Sequence, residues 1–351
     1  MRVVETQIGE MKILEEKINS SVFDVLRETG GRHRLLSTPY LHAVAKIEAS
    51  LLKGARKYFD ENGFVEVVVP HLTRATGACE NIATMFELDY FGERAYLSQT
   101  AQLYLEVLTP FLDKVWCVGS SFRAEPDVDS RHLTEFTLIE LEFKGGFDEL
   151  LEHIEGVILL MVECVLNERM EELNLLGVDT QRLEALKRPF RRITYTEAVE
   201  QLSDYGVNWG DDLKSRHERL LVEINGNQPL FVTHYPKAIK FFNMKENDEN
   251  PSIVNSADLL LPFSGEAVGA AEREYEYEKL YERLINSTML KQLIEKEGSL
   301  EDFAWYLEFY KEHGAPHSGC GIGLNRVTQF ILGSNDIRTT TVFPLNRESI
   351  L

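Results

Sequence analysis

The sequence predicts an α+β domain built on an antiparallel sheet flanked by helices. Strand-like runs and amphipathic helices follow one another without regular strand–helix–strand alternation, and no internal repeat or Pro/Gly/Ser-rich linker divides the 351 residues. Composition points the same way: 44% hydrophobic and 27% charged residues, over a length that supports a sizeable core, exclude a disordered or fibrous chain.

Residues 1–36 hold six basic and six acidic residues and read as one or two short helices ending at Gly30-Gly31. This extension is too helical to supply the many short strands of an oligonucleotide-binding barrel, so the domain proper is placed at 37–351. Thr38 caps and Pro39 opens a helix in which Val44, Ile47, Leu51, Leu52, Ala55, Tyr58 and Phe59 recur at helical spacing up to Asn62-Gly63. A β-branched strand follows over 64–69 and stops at Pro70, which has no N–H for a ladder. Further strands are expected over 95–98, 115–121 and 133–143. A long helix is expected from Asp148 to about Leu175, with Leu151, Ile154, Ile158, Met161, Val165 and Met170 on one side and a solvated glutamate-rich face opposite. A later helix runs from Arg326 through Val327, Phe330 and Ile331 to Gly333.

The 37 basic against 57 acidic residues give a net charge of −20, which argues against a phosphate-tracking surface and hence against a tRNA or DNA partner. The longest apolar run, 157–162, has six residues, where a bilayer span needs about 20, so no membrane association is expected. The opening segment lacks the apolar stretch of a secretory signal, which makes the cytoplasm the expected compartment. Cys79, Cys117, Cys164 and Cys320 are scattered and form no C-x-x-C, so neither disulfides nor structural zinc are expected.

Chemistry concentrates in two stretches. Residues 122–142 read as strand, polar loop, strand, and on the second strand His132, Thr134, Phe136, Leu138, Glu140 and Glu142 share one face. An aromatic plate with two carboxylates, preceded by Arg123 and Arg131, suits a site with guanidinium forks for phosphate and a ring for a base; a surface hairpin carrying salt bridges is the alternative. In 317–326, Gly319, Gly321 and Gly323 fall at period two, so one strand face is bare and something must approach the backbone there. Arg326 then begins a helix, where its charge and the helix N-terminus converge on an anion. This is no dinucleotide fingerprint, because Arg326 stands where the third glycine would fall.

Together these stretches resemble the motifs of class II aminoacyl-tRNA synthetases. The first motif, a helix and a strand ending in Pro, resembles Lys46 to Pro70. The second is met by Phe122, Arg123, Glu125, Arg131, His132, Glu135 and Phe136, and the third by Gly321, Gly323 and Arg326. Residues 258–273 resemble the D-L-L…G-E-x-x-G-x-x-x-R segment of the aspartyl and asparaginyl branch. The resemblance implies a class II-like antiparallel sheet, a homodimer through 46–70, and ATP with Mg²⁺ as cofactors. By the same resemblance, Arg123 and Arg326 are the catalytic cations. ATP would be bound by Arg123 (α-phosphate), Arg131, His132 and Arg326 (outer phosphates), Phe136 (stacking), Glu125 (adenine) and Glu266. Asp258 and Glu266 would bind the metal, and Glu80, Gln99, Gln102, Glu140 and Arg273 the amino acid.

Aspartyl enzymes carry a Lys three residues after the second Gln of 98–106; here that position is Leu105, followed by Glu106, which is the asparaginyl pattern. No anticodon-binding domain is expected from 1–36 or after the third motif. With the acidic charge, this makes the chain resemble the archaeal asparagine synthetase family related to the asparaginyl enzymes. That resemblance implies amidation of aspartate by ammonia and ATP through a β-aspartyl-adenylate, giving asparagine, AMP and pyrophosphate, with no nucleic acid involved. The alternatives are an asparaginyl- or aspartyl-tRNA synthetase-like enzyme charging tRNA or a protein, and a non-catalytic paralog sensing amino acid or nucleotide.

Overall fold

A computed structural model describes residues 22–75 and 82–349. In chain order its strands are β1 (Val65–Glu66), β2 (Leu72–Thr73), β3 (Glu87–Tyr90), β4 (Glu93–Leu97), β5 (Lys114–Phe122), β6 (Glu135–Phe143), β7 (Arg191–Thr194), β8 (Leu230–Thr233), β9 (Ser256–Leu261), β10 (Gly265–Glu272) and β11 (Ser318–Gly323). They form an eight-stranded sheet in the order β1-β5-β6-β11-β10-β9-β8-β7 and a three-stranded sheet in the order β2-β4-β3. Every pairing from β5 across to β8 is antiparallel; β1 and β7 are added in parallel at the two edges. The expected α+β class with a class II-like antiparallel sheet flanked by helices is the fold observed.

Six helices matter for the site: α1 (Pro39–Glu61), α2 (Gln102–Leu112), α3 (Phe147–Glu168), α4 (Ser215–Ile224), α5 (Ala304–His313) and α6 (Leu324–Leu332). Period-two alternation gives the large sheet two different faces. Ile139, Leu141 and Phe143 of β6, Cys320 and Ile322 of β11, and Leu259 and Leu261 of β9 form one core with α1 and α3. Each such side chain contributes roughly 1.5–3 kcal/mol by leaving water. At Gly54 α1 and α3 come so close that a Cβ would lie 2.6 Å from Met161 Cα, so only glycine fits. The opposite face carries Phe136, Leu138, Glu140 and Glu142 from the same strand β6, and the site forms there.

Several expectations need correction. Of 64–69 only Val65 and Glu66 pair, with Val67 N–H donating to the Trp116 carbonyl at 2.9 Å, because this is an edge strand whose other side faces solvent. The long helix ends at Glu168, and a short one resumes over Met170–Leu175. Arg169, at the break, turns its Nε onto Ser50 Oγ (2.8 Å) and the Lys46 carbonyl (3.2 Å) of α1, which leaves Met170 exposed. On the acidic face Glu155 is buried and accepts from Phe190 N–H and Arg192. Thr38 precedes α1 as expected, but its hydroxyl donates to the Leu35 carbonyl at 2.7 Å and caps nothing.

The described part of the extension joins the main core. Val25, Leu26 and Leu35 are buried within it, and buried Arg32 donates to the Leu26, Glu28, Thr341 and Val342 carbonyls, stitching both ends of the described chain together. Among the described residues Cys117, Cys164 and Cys320 are free and buried, and no helix is long and apolar enough to cross a membrane.

Candidate active site

A cavity of about 330 Å³ opens on the bare face of β11. Its walls gather Gln102, Arg123, Glu125, Arg131, His132, Phe136, Glu140, Asp258, Glu266, Arg273 and Arg326, residues spread over 225 positions of sequence. The register explains the gathering: Gly321 lies opposite Glu140 on one side and Gly269 on the other, and Gly269 lies opposite Asp258. The glycine row is thus the floor between carboxylates. The group that approaches the backbone at Gly319 is the Glu142 carboxyl, within 2.0–2.3 Å of where a Cβ would stand.

One end of the cavity is cationic. The Arg123 guanidinium lies 5.1 Å over the Phe136 ring. Arg131 Nη2 pairs with Glu218 of α4 at 3.2 Å, and His132 Nδ1 sits 2.9 Å from Asp129. Arg326 reaches back from α6 to donate to the Ser264 carbonyl at 2.8 Å and the Arg131 carbonyl at 3.0 Å. That brace fixes the loop after β5 against the β9–β10 turn. Burial, followed by the like charge of Arg131, lowers the Arg326 pKa to about 10, still cationic at neutral pH.

The middle of the floor holds two acids and a lysine. Lys240 Nζ lies 2.9 and 3.1 Å from the two oxygens of Asp258 and 3.9 Å from the centre of the Tyr235 ring. Burial lowers the Lys240 pKa, but Asp258 and Glu266 outweigh it and the net direction is up. Desolvation at the floor, with the Asp258 charge next, pushes Glu266 upward, which is the response of a carboxylate lacking a full counter-charge.

The far end is a buried polar network. Arg273 donates from Nε and Nη2 to Glu142 at 3.0 and 2.6 Å, and its Nε lies 3.9 Å from Glu106. Glu106 accepts from Gln102 (2.6 Å), Asn243 (2.8 Å), Tyr306 (2.5 Å) and Tyr310 (2.8 Å), with His317 3.5 Å away. Burial raises the Glu106 pKa, but the His317 hydrogen bond, Arg273 and Tyr306 outweigh it and hold the carboxyl ionised; Glu142, with less support, is pushed up by burial. Glu142 Oε2 is buried with no hydrogen-bond partner among the described residues.

Not every expected residue reaches the cavity. Gln99 lies behind its wall, with its amide nitrogen 3.3 Å from Thr84 Oγ1. Glu140 faces the cavity but spends both oxygens on Thr100 Oγ1 and Ala101 N–H, fixing the start of α2. Glu80 falls outside the described residues. Conversely, Lys240 escaped the sequence reading, since a lone lysine in the loop before β9 carries no motif. Glu142 was placed on the right strand face, but its pairing with Arg273, 131 residues away, left no local signal.

Comparison with known proteins gives the site its family. A family profile described as tRNA synthetases class II (D, K and N) matches residues 27–347. The chain belongs to the class II tRNA synthetases. Among similar members, asparagine–tRNA ligase of Pyrococcus furiosus is 40% identical over 318 residues, 89% of this chain and 70% of that protein. The corresponding ligase of Desulforamulus reducens is 39% identical over 317 residues, 89% of this chain and 71% of that one. In structure, the synthetase fold matches asparaginyl-tRNA synthetase of Pyrococcus horikoshii complexed with asparaginyl-adenylate at a TM-score of 0.83 and 38% identity, over 91% of this chain and 72% of that one. The asparaginyl-tRNA synthetase of Entamoeba histolytica with the same adenylate matches at 0.80 and 28%, over 95% and 73%.

These findings overturn two expectations. An aspartate–ammonia ligase making asparagine is not what the similar members are: they are tRNA ligases, so the chain is a ligase of the synthetase class and the asparagine synthetase reading is withdrawn. The expected absence of a nucleic-acid partner falls with it. The physical error lies in the net charge, a sum over the whole chain that does not report local surfaces.

Class II synthetases use ATP and Mg²⁺. The floor fits such a cation: Asp258 and Glu266 are hard oxygen donors, and Glu266, pushed upward by burial and by Asp258, lacks a full counter-charge. Among the described residues no cluster of three or more His, Cys, Asp or Glu suits a metal, so the remaining ligands would have to be phosphate oxygens and water.

Proposed function

We propose that this synthetase activates asparagine with ATP to asparaginyl-adenylate and pyrophosphate, then transfers the asparaginyl group to tRNA with release of AMP. The observation that carries this is the far end of the cavity. There Arg273 already donates to Glu142, with Glu106 behind it, so it offers no unmatched charge to a further side-chain carboxylate. A neutral amide fits: its oxygen accepts from Arg273, and its N–H₂ donates toward the glutamates, a match supported by the unpartnered Glu142 Oε2. The similarity to proteins that bind asparaginyl-adenylate supports the same amino acid.

In this reading the asparagine α-carboxylate attacks the α-phosphorus in line, with pyrophosphate leaving. Arg123 neutralises the α-phosphate, Arg131, His132 and Arg326 hold the outer phosphates, and Phe136 stacks on adenine. Asp258 and Glu266 would hold Mg²⁺, which supplies further charge neutralisation there when bound. Positioning and preorganised charge carry the catalysis, and no covalent enzyme intermediate is needed. A terminal tRNA ribose hydroxyl then attacks the activated carbonyl. Incubation with labelled asparagine, ATP, Mg²⁺ and tRNA should make the label acid-precipitable and ribonuclease-sensitive. Formation of asparagine from aspartate and ammonium without tRNA would overturn the proposal.

A further inference from the structure

Lys240 is a partly buried cation with no part in the reaction as described so far. Its Nζ spans both Asp258 oxygens at 2.9 and 3.1 Å and lies 3.9 Å from the centre of the Tyr235 ring. The ion pair is well shielded, with 16% and 11% side-chain exposure. Both Asp258 oxygens thus face the same ammonium. A Mg²⁺ ion binds carboxylate oxygen at about 2.1 Å and keeps its octahedral shell only if nothing else crowds that oxygen. An ammonium across the same two oxygens therefore competes with it.

We propose that Lys240 is the resident counter-cation of this site, so that a divalent metal enters only together with a nucleoside triphosphate, whose phosphate oxygens take over the displaced ammonium. Lys240 is then a positioning residue: it holds Asp258 in place before the substrate arrives, and it adds an ammonium to the outer phosphates afterwards. The exchange puts the metal where the ammonium stood and moves the ammonium onto phosphate oxygen. An empty site binds no free metal, and a loaded one gains a cation for each cation moved off the acid. This inference rests on the assignment of Asp258 and Glu266 as metal-holding acids.

The test is Mn²⁺ binding, read by electron paramagnetic resonance and by the thermal unfolding midpoint, with no nucleotide, amino acid or tRNA present. Failure of the functional reading therefore does not touch it. Wild type and Lys240→Arg, which keeps the charge, should show no site-specific Mn²⁺ binding in the micromolar range. Lys240→Met should bind Mn²⁺ at least tenfold more tightly, with a rising midpoint, and lose this when Asp258→Asn is added. Equal Mn²⁺ affinity in wild type and Lys240→Met would overturn the proposal. So would a Lys240→Met protein that stays unfolded with and without Mn²⁺, because the metal must be able to substitute for the ammonium.

Discussion

Glu142 Oε1 accepts from two nitrogens of Arg273, at 3.0 and 2.6 Å, with both side chains almost wholly buried. Removing one partner of a buried pair typically costs about 3–5 kcal/mol because the other is left uncompensated. Glu142→Gln keeps a hydrogen-bond acceptor but frees the Arg273 charge, so it should shrink discrimination between asparagine and aspartate at least tenfold. Gly319→Ala should act on the same end, since its Cβ would collide with the Glu142 carboxyl. Pyrophosphate exchange with each amino acid measures both; unchanged discrimination in Glu142→Gln would show that the pair does not set specificity.

Arg123→Ala and Arg326→Ala should each lower adenylate formation about a hundredfold or more, since losing one preorganised cation costs on the order of 3 kcal/mol in the transition state. Arg326 also braces the Ser264 and Arg131 carbonyls, so its replacement should loosen the loop after β5 as well. Single-turnover pyrophosphate release measures adenylate formation, and the thermal unfolding midpoint measures the loss of the brace.

Val68 is fully exposed, with Val65 also open, in the segment that the first motif assigns to a dimer interface. An apolar edge of this kind invites pairing with a second copy. Sedimentation should give about twice the 40.2 kDa chain mass, and Val68→Asp should shift the protein toward monomer. A monomeric wild type at micromolar concentration would remove the assignment.

His153 is packed edge-on against Tyr58, Phe64 and Phe143, and burial, then Lys114 and Arg188, push its pKa down to about 4 from 6.5. The unfolded chain binds a proton there below about pH 6.5, whereas the fold resists until about 4. Its contribution is therefore intact above 6.5 and is lost as pH falls through that window. Urea unfolding at pH 7 and pH 5 should show a drop that His153→Gln reduces; an equal drop in both proteins would place the acid sensitivity elsewhere.

What the sequence disclosed follows from how local each signal is. Phe136, Glu140 and Glu142 were placed together because a strand alternates faces, and Arg123, Arg131 and Arg326 because their motifs resemble those of the class II synthetases. Lys240 and the Arg273–Glu142 pair arise from tertiary packing across large sequence separations, which periodicity does not encode. The reaction was misread because the expected lack of an anticodon-binding domain and the −20 net charge were weighed above the asparaginyl pattern at Glu106, whose carboxylate is the hub of four hydrogen bonds at the far end of the cavity.

Amino-acid-dependent ATP–pyrophosphate exchange tests the account most directly, since it reads the first half-reaction alone. Asparagine should drive exchange in the presence of Mg²⁺, and aspartate should be at least a hundredfold poorer, the difference a buried like-charge contact imposes at about 1.4 kcal/mol per tenfold. Exchange driven by aspartate, with asparagine inactive, would contradict it.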